Sequence, residues 1–178
     1  MLWILFSFLT AFLESLKDVF SKKSLKNLDE YVLAWSVRFF ALIFLTPIVF
    51  FIDIPTLGER FWQTLLICGS FGVVTSVLYM KAIKNSDLSI TVPMITFTPL
   101  FLLLTSPFIV GEFPSLFGLI GVLLIVLGSY TLNISQKHEG YWAPFRALLK
   151  ETGPKLMLLV ALVWSITSNF DKIGVQNS

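Results

Sequence analysis

Three charged side chains interrupt the apolar N-terminal stretch of this 178-residue sequence, and they are the first candidates for chemistry. Glu14, Lys17 and Asp18 lie three and four residues apart, so a helix would place them on one side and let them partly neutralise one another. Facing a bundle interior, they would form a substrate or proton site. Near Lys22 and Lys23, they would instead snorkel to the membrane interface. Both interpretations stay open, and Glu14 is the favoured candidate because it lies deepest.

A fourth charge, Arg38, lies about two turns inside the apolar stretch 31–52. A charged side chain at the centre of a bilayer costs about 2.5–3.5 kcal/mol on insertion scales, so it needs a partner or a wet cavity. We therefore expect Arg38 either to face a cavity or to pair with an acidic residue of the first helix. Snorkelling to the nearer end of the span is possible but strained.

The stretch 88–111 is unusual in combining prolines with threonines. Thr91, Thr98 and Thr105 recur every seven residues, so their hydroxyls either line a polar path or bond back to their own helix. Pro99 has no N–H to donate to the carbonyl of Ile95, which predicts an unpaired carbonyl in the middle of the membrane. Thr91, Thr98 and Pro99 therefore join the candidate substrate site.

The composition is that of an integral membrane protein. Hydrophobic residues make up 56% of the chain and charged residues 13%, and the mean hydropathy is +0.83. Soluble domains average about 45–50% apolar residues and about 25% charged residues. A bilayer core requires about 20 apolar residues per helix. A retained N-terminal helix is favoured over a signal peptide because no basic n-region precedes it. The sequence thus predicts six spans, over about 2–23, 31–52, 61–80, 88–111, 113–136 and from 156 onward.

Other classes of protein are not indicated. The net charge of +2 suggests no nucleic-acid partner, and a single cysteine and a single histidine predict neither a metal site nor a cofactor. No nucleophile with a base and no phosphate loop is present, so the sequence predicts no enzyme. Gly69, Gly72 and Ser76 are interpreted as a close helix-packing surface.

A weak internal repeat is visible when the chain is shifted by 150 residues. Five positions are then identical: Ala11/Ala161, Ser15/Ser165, Phe20/Phe170, Lys22/Lys172 and Asn27/Asn177. Because five spans separate the two copies, the sixth helix must cross the membrane in the direction opposite to the first. Inverted repeats of this kind are typical of secondary transporters.

The order of several short motifs resembles a known family. Tyr79-x-x-Ala82, Pro99 within Thr98–Phe101, Gly111-Glu112, and the glycines Gly121 and Gly128 are similar to the EamA-type repeat of the drug/metabolite transporter superfamily. The resemblance covers about residues 3–134. It implies a carrier of two inverted five-helix halves and adds Tyr79 to the candidate substrate-binding residues.

The predicted fold is therefore an all-α membrane protein, a polytopic helical bundle with one five-helix repeat and the first helix of an inverted second repeat. The domains are predicted as 1–136, an interfacial linker 137–155 with Trp142, Phe145 and Leu149 at helical spacing, and 156–178. The sequence breaks off early in the second repeat, so a truncated chain is expected. The missing helices would otherwise come from a second copy or a partner chain.

The leading function is a half or truncated secondary transporter of small metabolites or drugs across the plasma membrane. The alternative is a non-transporting membrane partner, a regulatory subunit or an inactive fragment. Nine basic residues follow the odd-numbered spans and two follow the even-numbered spans, which predicts an N-terminus outside the cell. The resemblance implies the reverse for many family members, and we prefer the charge count.

Overall fold

The computed structural model describes residues 2–51, 56–132 and 151–177, and every regular element in these ranges is helical. The helices are α1 (Leu2–Ser24), α2 (Glu30–Val49), α3 (Glu59–Asn85), α4 (Leu88–Ile109), α5 (Leu116–Leu132) and α6 (Thr152–Gln176). The all-α prediction is thereby confirmed for the described part of the chain.

By length and composition, four helices are long and apolar enough to cross a membrane: α2, α3, α4 and α6. The first helix is 23 residues long, but it carries Glu14, Lys17 and Asp18 within its second half. At about 1.5 Å per residue it still measures about 34 Å. The fifth helix has 17 residues, of which Leu116–Gly128 form its apolar part. The multi-pass helical bundle predicted from the sequence is confirmed.

The helices begin and end close to the predicted positions, with two differences. Lys81 and Lys84 belong to the last turns of α3 and not to a loop. The sixth helix begins at Thr152, four residues before the predicted start, because Pro154 is compatible with a first turn, where amide groups lack helical partners anyway. The predicted interfacial helix with Trp142, Phe145 and Leu149 lies outside the described residues, and the domain boundaries stay predictions.

The sixth helix runs antiparallel to α3. At its start, the amide of Gly153 donates to Ser86 Oγ at the end of α3 at 3.2 Å. At its end, the carbonyl of Asn177 accepts from the amide of Gly58, just before α3, at 2.9 Å. Two glycines allow the close approach, since a Cβ on Gly153 would lie 2.8 Å from the carbonyl oxygen of Ala82, and one on Gly174 would lie 2.9 Å from Thr64 Oγ1.

The first helix instead runs parallel to α3. Asp18 contacts Tyr79, and four residues later along both helices Lys22 contacts the carbonyl of Ile83. The two helices therefore run in the same direction. α1 and α6 therefore cross the bundle in opposite directions. This geometry confirms the inversion that the weak repeat predicts.

The core lies where α6 packs between α3 and α4. Met157, Val160 and Ala161 of α6 are fully buried, and so are Ala82 and Ile83 of α3. The expected packing role of Gly69 and Gly72 is wrong, because a Cβ on either glycine would meet no atom within 4 Å. These two glycines face an open groove, and Gly153 and Gly174 provide the close contact.

The fourth helix changes geometry at its prolines. Its first turn is followed by a 3-10 segment, Val92–Phe97, before the α-helix resumes at Thr98. In this tighter winding the carbonyl of Ile95 accepts the amide of Thr98, so the prediction that Pro99 leaves this carbonyl unpaired is wrong. At the far end, Gly111 adopts a φ of 75°, and its amide caps the carbonyl of Ser106 at 3.1 Å.

Candidate functional site

One buried polar cluster joins α1, α3 and α6, and we call Lys17, Asp18, Tyr79 and Trp164 the Asp18 junction. Asp18 is 6% exposed, and its carboxylate accepts a 2.7 Å hydrogen bond from the Tyr79 hydroxyl. The Tyr79 ring stacks on Trp164 of α6, with 5.9 Å between ring centroids. A carboxylate in such a position is costly unless it is hydrogen-bonded, and Tyr79 supplies that bond.

Lys17 supplies the positive charge of the junction. Its ammonium lies 3.8 Å from Asp18 and 5.3 Å from the centroid of the Tyr79 ring, within the range of a cation–π contact. The same ammonium also forms an ion pair with Glu14. The predicted mutual neutralisation on one side of α1 is therefore present. Glu14, the favoured candidate in the sequence, is exposed, whereas Asp18 is the buried acid.

Lys22 fixes the end of α1 against the end of α3. Its ammonium donates to the carbonyl oxygens of Ile83 at 2.6 Å and Ser86 at 2.8 Å, with Lys84 at 3.4 Å. The last carbonyls of a helix lack intrahelical donors and carry partial negative charge, so a lysine here is favourable. This cap holds α1 in the register that brings Asp18 to Tyr79.

Arg38 lies apart from the Asp18 junction. Its Nε donates to Ser76 Oγ of α3 at 2.9 Å, and both residues line a groove between α2 and α3 that also contains Gly69 and Gly72. Of the two alternatives predicted for Arg38, the structure shows the cavity and not a pair with an acidic residue of α1. We call this cavity the α2–α3 groove.

The threonine stripe of α4 consists of Thr91, Thr98 and Thr105, and its last member contacts α6. Thr91 is fully buried, and within the described part of the chain neither its hydroxyl nor that of Thr98 has a hydrogen-bond partner. Thr105 accepts a 3.1 Å hydrogen bond from the Asn169 amide of α6. Pro99 occupies the first turn of the resumed α-helix. The stripe is thus a polar row, fully buried at Thr91 and half-buried at Thr98 and Thr105, and it is separate from both Arg38 and Asp18.

Some residues of these sites are not evident in the sequence. Three of them belong to α6: Trp164, Ser165 and Asn169. Their roles are seen only from contacts within the folded protein, although the internal repeat had already matched Ser165 with Ser15. Ser76 was assigned to helix packing, yet it is the partner of Arg38. Asp18 and Tyr79 are 61 residues apart in the sequence. They meet because α1 and α3 pack in parallel.

The antiparallel α1 and α6, the broken α4 and the buried carboxylate between helices define a polytopic membrane protein with the architecture of a transporter repeat. Comparison with known families gives the particular class, since residues 1–134 match the EamA-like transporter family. The chain belongs to that family. No curated protein and no solved structure gives a significant match. The resemblance stated from the short motifs is confirmed.

Proposed function

We propose that this chain is part of a secondary transporter that carries small metabolites or drugs across the plasma membrane. The Asp18 junction is the observation that supports the proposal most directly. It places a buried acid, a lysine and a tyrosine hydroxyl where α1 and α6 both contact Tyr79 of α3. Ionisable groups inside a membrane bundle are costly and are characteristic of substrate and proton pathways.

The contacts of α1 suggest how the junction would operate. Of the described α1 side chains only Asp18 and Ser21 are buried, and residues 2–16 are exposed. The helix is therefore attached to α3 near its C-terminal end, by Asp18 and Lys22. In the proposed cycle, α1 tilts about the Lys22 cap, the bond from Tyr79 to Asp18 opens, and the carboxylate becomes accessible to a proton or to a polar group of the solute. Such a tilt would alternate access to a site at the junction.

Transport by purified protein tests the proposal. The chain would be reconstituted in proteoliposomes, supplied with a mixed panel of metabolites and drugs, and assayed for solutes retained above the level of empty vesicles. We expect accumulation of at least one solute and a loss of flux of at least tenfold for Asp18→Asn and for Tyr79→Phe. Glu112→Gln is the matched control, because Glu112 forms an exposed pair with Lys172 at the other end of the bundle.

The opposite result is also informative. A correctly folded chain that transports no member of a broad panel contradicts transport by copies of this chain and favours the alternative, a membrane protein that packs against partners without transporting. Unchanged flux in Asp18→Asn would show that the chain transports the solute but that the Asp18 junction takes no part in transport. Helical content and elution as a single species would show in each case that the variant is folded.

Orientation and partners are proposed on the same basis. Lys22, Lys81 and Lys84 lie at one end of the bundle, and Lys172 lies at the other, so the positive-inside rule places the N-terminus outside. In a Cys68→Ser background, an impermeant maleimide added to intact cells should label Lys172→Cys and spare Lys23→Cys. The reverse labelling would contradict this orientation. A second copy of this chain or a second half-transporter chain is the proposed partner.

A further inference from the structure

The α2–α3 groove is a cavity of about 490 Å³ between two membrane-spanning helices. Its α2 wall contains Tyr31, Trp35 and Arg38, and its α3 floor contains Gly69 and Gly72. No atom lies within 4 Å of the Cβ position of either glycine, so the missing side chains create the space. The volume lies within the range of about 300–1,000 Å³ that is typical of small-molecule sites.

The guanidinium of Arg38 is an uncompensated charge in this groove. Its Nε donates to Ser76 Oγ, and within the described residues it makes no ion pair. Glu30 of α2 pairs with Lys84, and Asp18 of α1 accepts a hydrogen bond from Tyr79, so neither carboxylate is the partner of Arg38. Four of the five guanidinium N–H groups thus lack an acceptor from these residues.

The depth of Arg38 makes this charge expensive to leave alone. It lies eight residues after the first residue of α2, about 12 Å along the helix axis. A cation at such a depth is stabilised by an anion that enters the groove. Planar guanidinium groups bind carboxylates through two parallel hydrogen bonds, which makes a carboxylate the best-matched ligand.

The rest of the groove selects the body of the ligand. Trp35, Val73 and Val77 provide an apolar and aromatic lining. At the end of the groove near the start of α2, Lys81 donates a 2.6 Å hydrogen bond to the Tyr31 hydroxyl and lies 4.6 Å from the centroid of its ring. A second cation therefore lies near this end of the groove, where the carboxylates of Asp29 and Glu30 also interact with it.

We infer that the α2–α3 groove binds an amphipathic monoanion, a carboxylate with a compact apolar or aromatic body, through Arg38. The inference rests on the proposed function in that this anion would be a transported solute, but binding itself does not require transport. A phospholipid is a poorer occupant because its phosphate is held at the membrane surface, about two helical turns above the guanidinium. A free carboxylate has no such tether.

Equilibrium binding to the full chain tests the inference. The protein would be placed in phosphatidylcholine nanodiscs and titrated with 4-phenylbutanoate, with the alcohol 4-phenylbutanol and the amine 4-phenylbutylamine as uncharged and cationic analogues. After subtraction of empty nanodiscs, we expect saturable binding of the carboxylate alone. Arg38→Met should weaken it at least tenfold, and Arg38→Lys should weaken it less, because an ammonium keeps the charge without the two-pronged geometry.

A variant that fills the groove separates the contribution of the Arg38 charge from that of the empty volume. Gly72→Leu would fill the groove while keeping Arg38, and it should abolish binding without unfolding the protein, since no atom lies near the Cβ position. Arg60→Met and Gly121→Leu are the matched controls, because neither residue lines the groove. Both controls should bind 4-phenylbutanoate as the parent chain does.

Several outcomes would overturn the inference. Equal binding of the alcohol or the amine would show that the charge plays no part, and unchanged affinity in both Arg38→Met and Gly72→Leu would place the ligand elsewhere. Loss of Arg38-dependent carboxylate binding in nanodiscs doped with phosphatidylglycerol, measured at high salt to screen the negative surface potential, would show that an anionic lipid takes the site. Saturable, Arg38-dependent binding by a chain that shows no flux would support this inference and contradict transport by copies of this chain. Flux of 4-phenylbutanoate that is unaffected by Arg38→Met would contradict only the inference.

Discussion

The helices α1 and α6 are related by the internal repeat, yet they meet different surroundings. Ser15 and Ala11 of α1 are exposed, whereas their counterparts Ser165 and Ala161 are fully buried. The reason is position, since α6 packs between α3 and α4 and α1 contacts α3 mainly near its own C-terminal end. The same side chain at the same helical position is therefore an exposed group in one copy and a core group in the other.

The sequences of the two helices differ where their surroundings differ. Gly153 of α6 corresponds to Trp3 of α1, and only the glycine allows a helix to approach Ala82 and Ser86 of α3 closely. Trp3, by contrast, is 71% exposed. The comparison indicates that α6 is held by packing and α1 by a few polar contacts, which the following substitutions test.

The largest expected effect is in the packing of α6. A valine at Gly153 would place its Cβ 2.5 Å from the Cβ of Ser86 and 2.8 Å from backbone oxygen, so Gly153→Val should lower the free energy of unfolding by about 3 kcal/mol. Denaturant unfolding in detergent micelles, followed by circular dichroism, would measure it. Gly69→Val is the matched control because it changes the same residue type in open space. Equal losses in both variants would contradict the packing difference.

The next effect concerns the polar attachment of α1. Asp18→Ala would leave the buried Tyr79 hydroxyl without its acceptor, so we expect a loss of about 2 kcal/mol in the same assay. Ser168→Ala changes the corresponding, exposed position of α6 and should stay within about 0.5 kcal/mol. If Asp18→Ala and Tyr79→Phe are additive in the double variant, the two side chains are not coupled and the junction is wrongly described.

The two repeat-related lysines should also differ. Lys22 donates to carbonyl oxygens at the end of α3, and Lys22→Met should cost about 1.5 kcal/mol. Lys172 forms an exposed pair with Glu112, and exposed pairs contribute about 0.2–1 kcal/mol, so Lys172→Met should cost less. High salt should reduce the effect of Lys172→Met further. A larger loss for Lys172→Met would reverse the assignment of the cap.

The smallest effect is expected at a single interhelical hydrogen bond. Asn169 of α6 is 3% exposed and donates to Thr105 of α4, so Asn169→Ala should cost about 1 kcal/mol. Its counterpart in α1 is Val19, which is 56% exposed, and Val19→Ala should stay within about 0.5 kcal/mol. Thr105→Val should remove most of the Asn169 effect, and persistence of the full effect would show that the bond to Ser165 dominates.

Much of the fold follows from local pattern. Long charge-free stretches fix the helices because a bilayer satisfies no backbone hydrogen bonds, so each helix must pair its own. The order of Tyr79, Pro99, Gly111 and Glu112 was sufficient to identify the family, and the odd number of spans between the two copies was sufficient to predict inversion. The charged residues of α1 were correctly expected to neutralise one another.

The candidate sites were predicted less completely, because side-chain partners come from distant parts of the chain. Helical periodicity places Asp18 and Glu14 on one side but does not say which of them faces Tyr79. Proline spacing predicted an unpaired Ile95 carbonyl, and the change to a 3-10 segment paired it. Glycine spacing suggested a packing surface in α3, and the neighbouring α2 left it open as a groove.

The sequence by itself determined that this protein is a multi-pass helical membrane protein of the EamA-like transporter family, since hydropathy and short motifs are local properties of the chain. Only the tertiary structure decided which polar groups meet. Asp18 rather than Glu14 is buried against Tyr79, Arg38 faces a groove rather than α1, and α6 rather than α1 fills the core. These outcomes depend on how neighbouring helices approach one another, and the sequence of a single helix does not specify which residues of other helices will contact it.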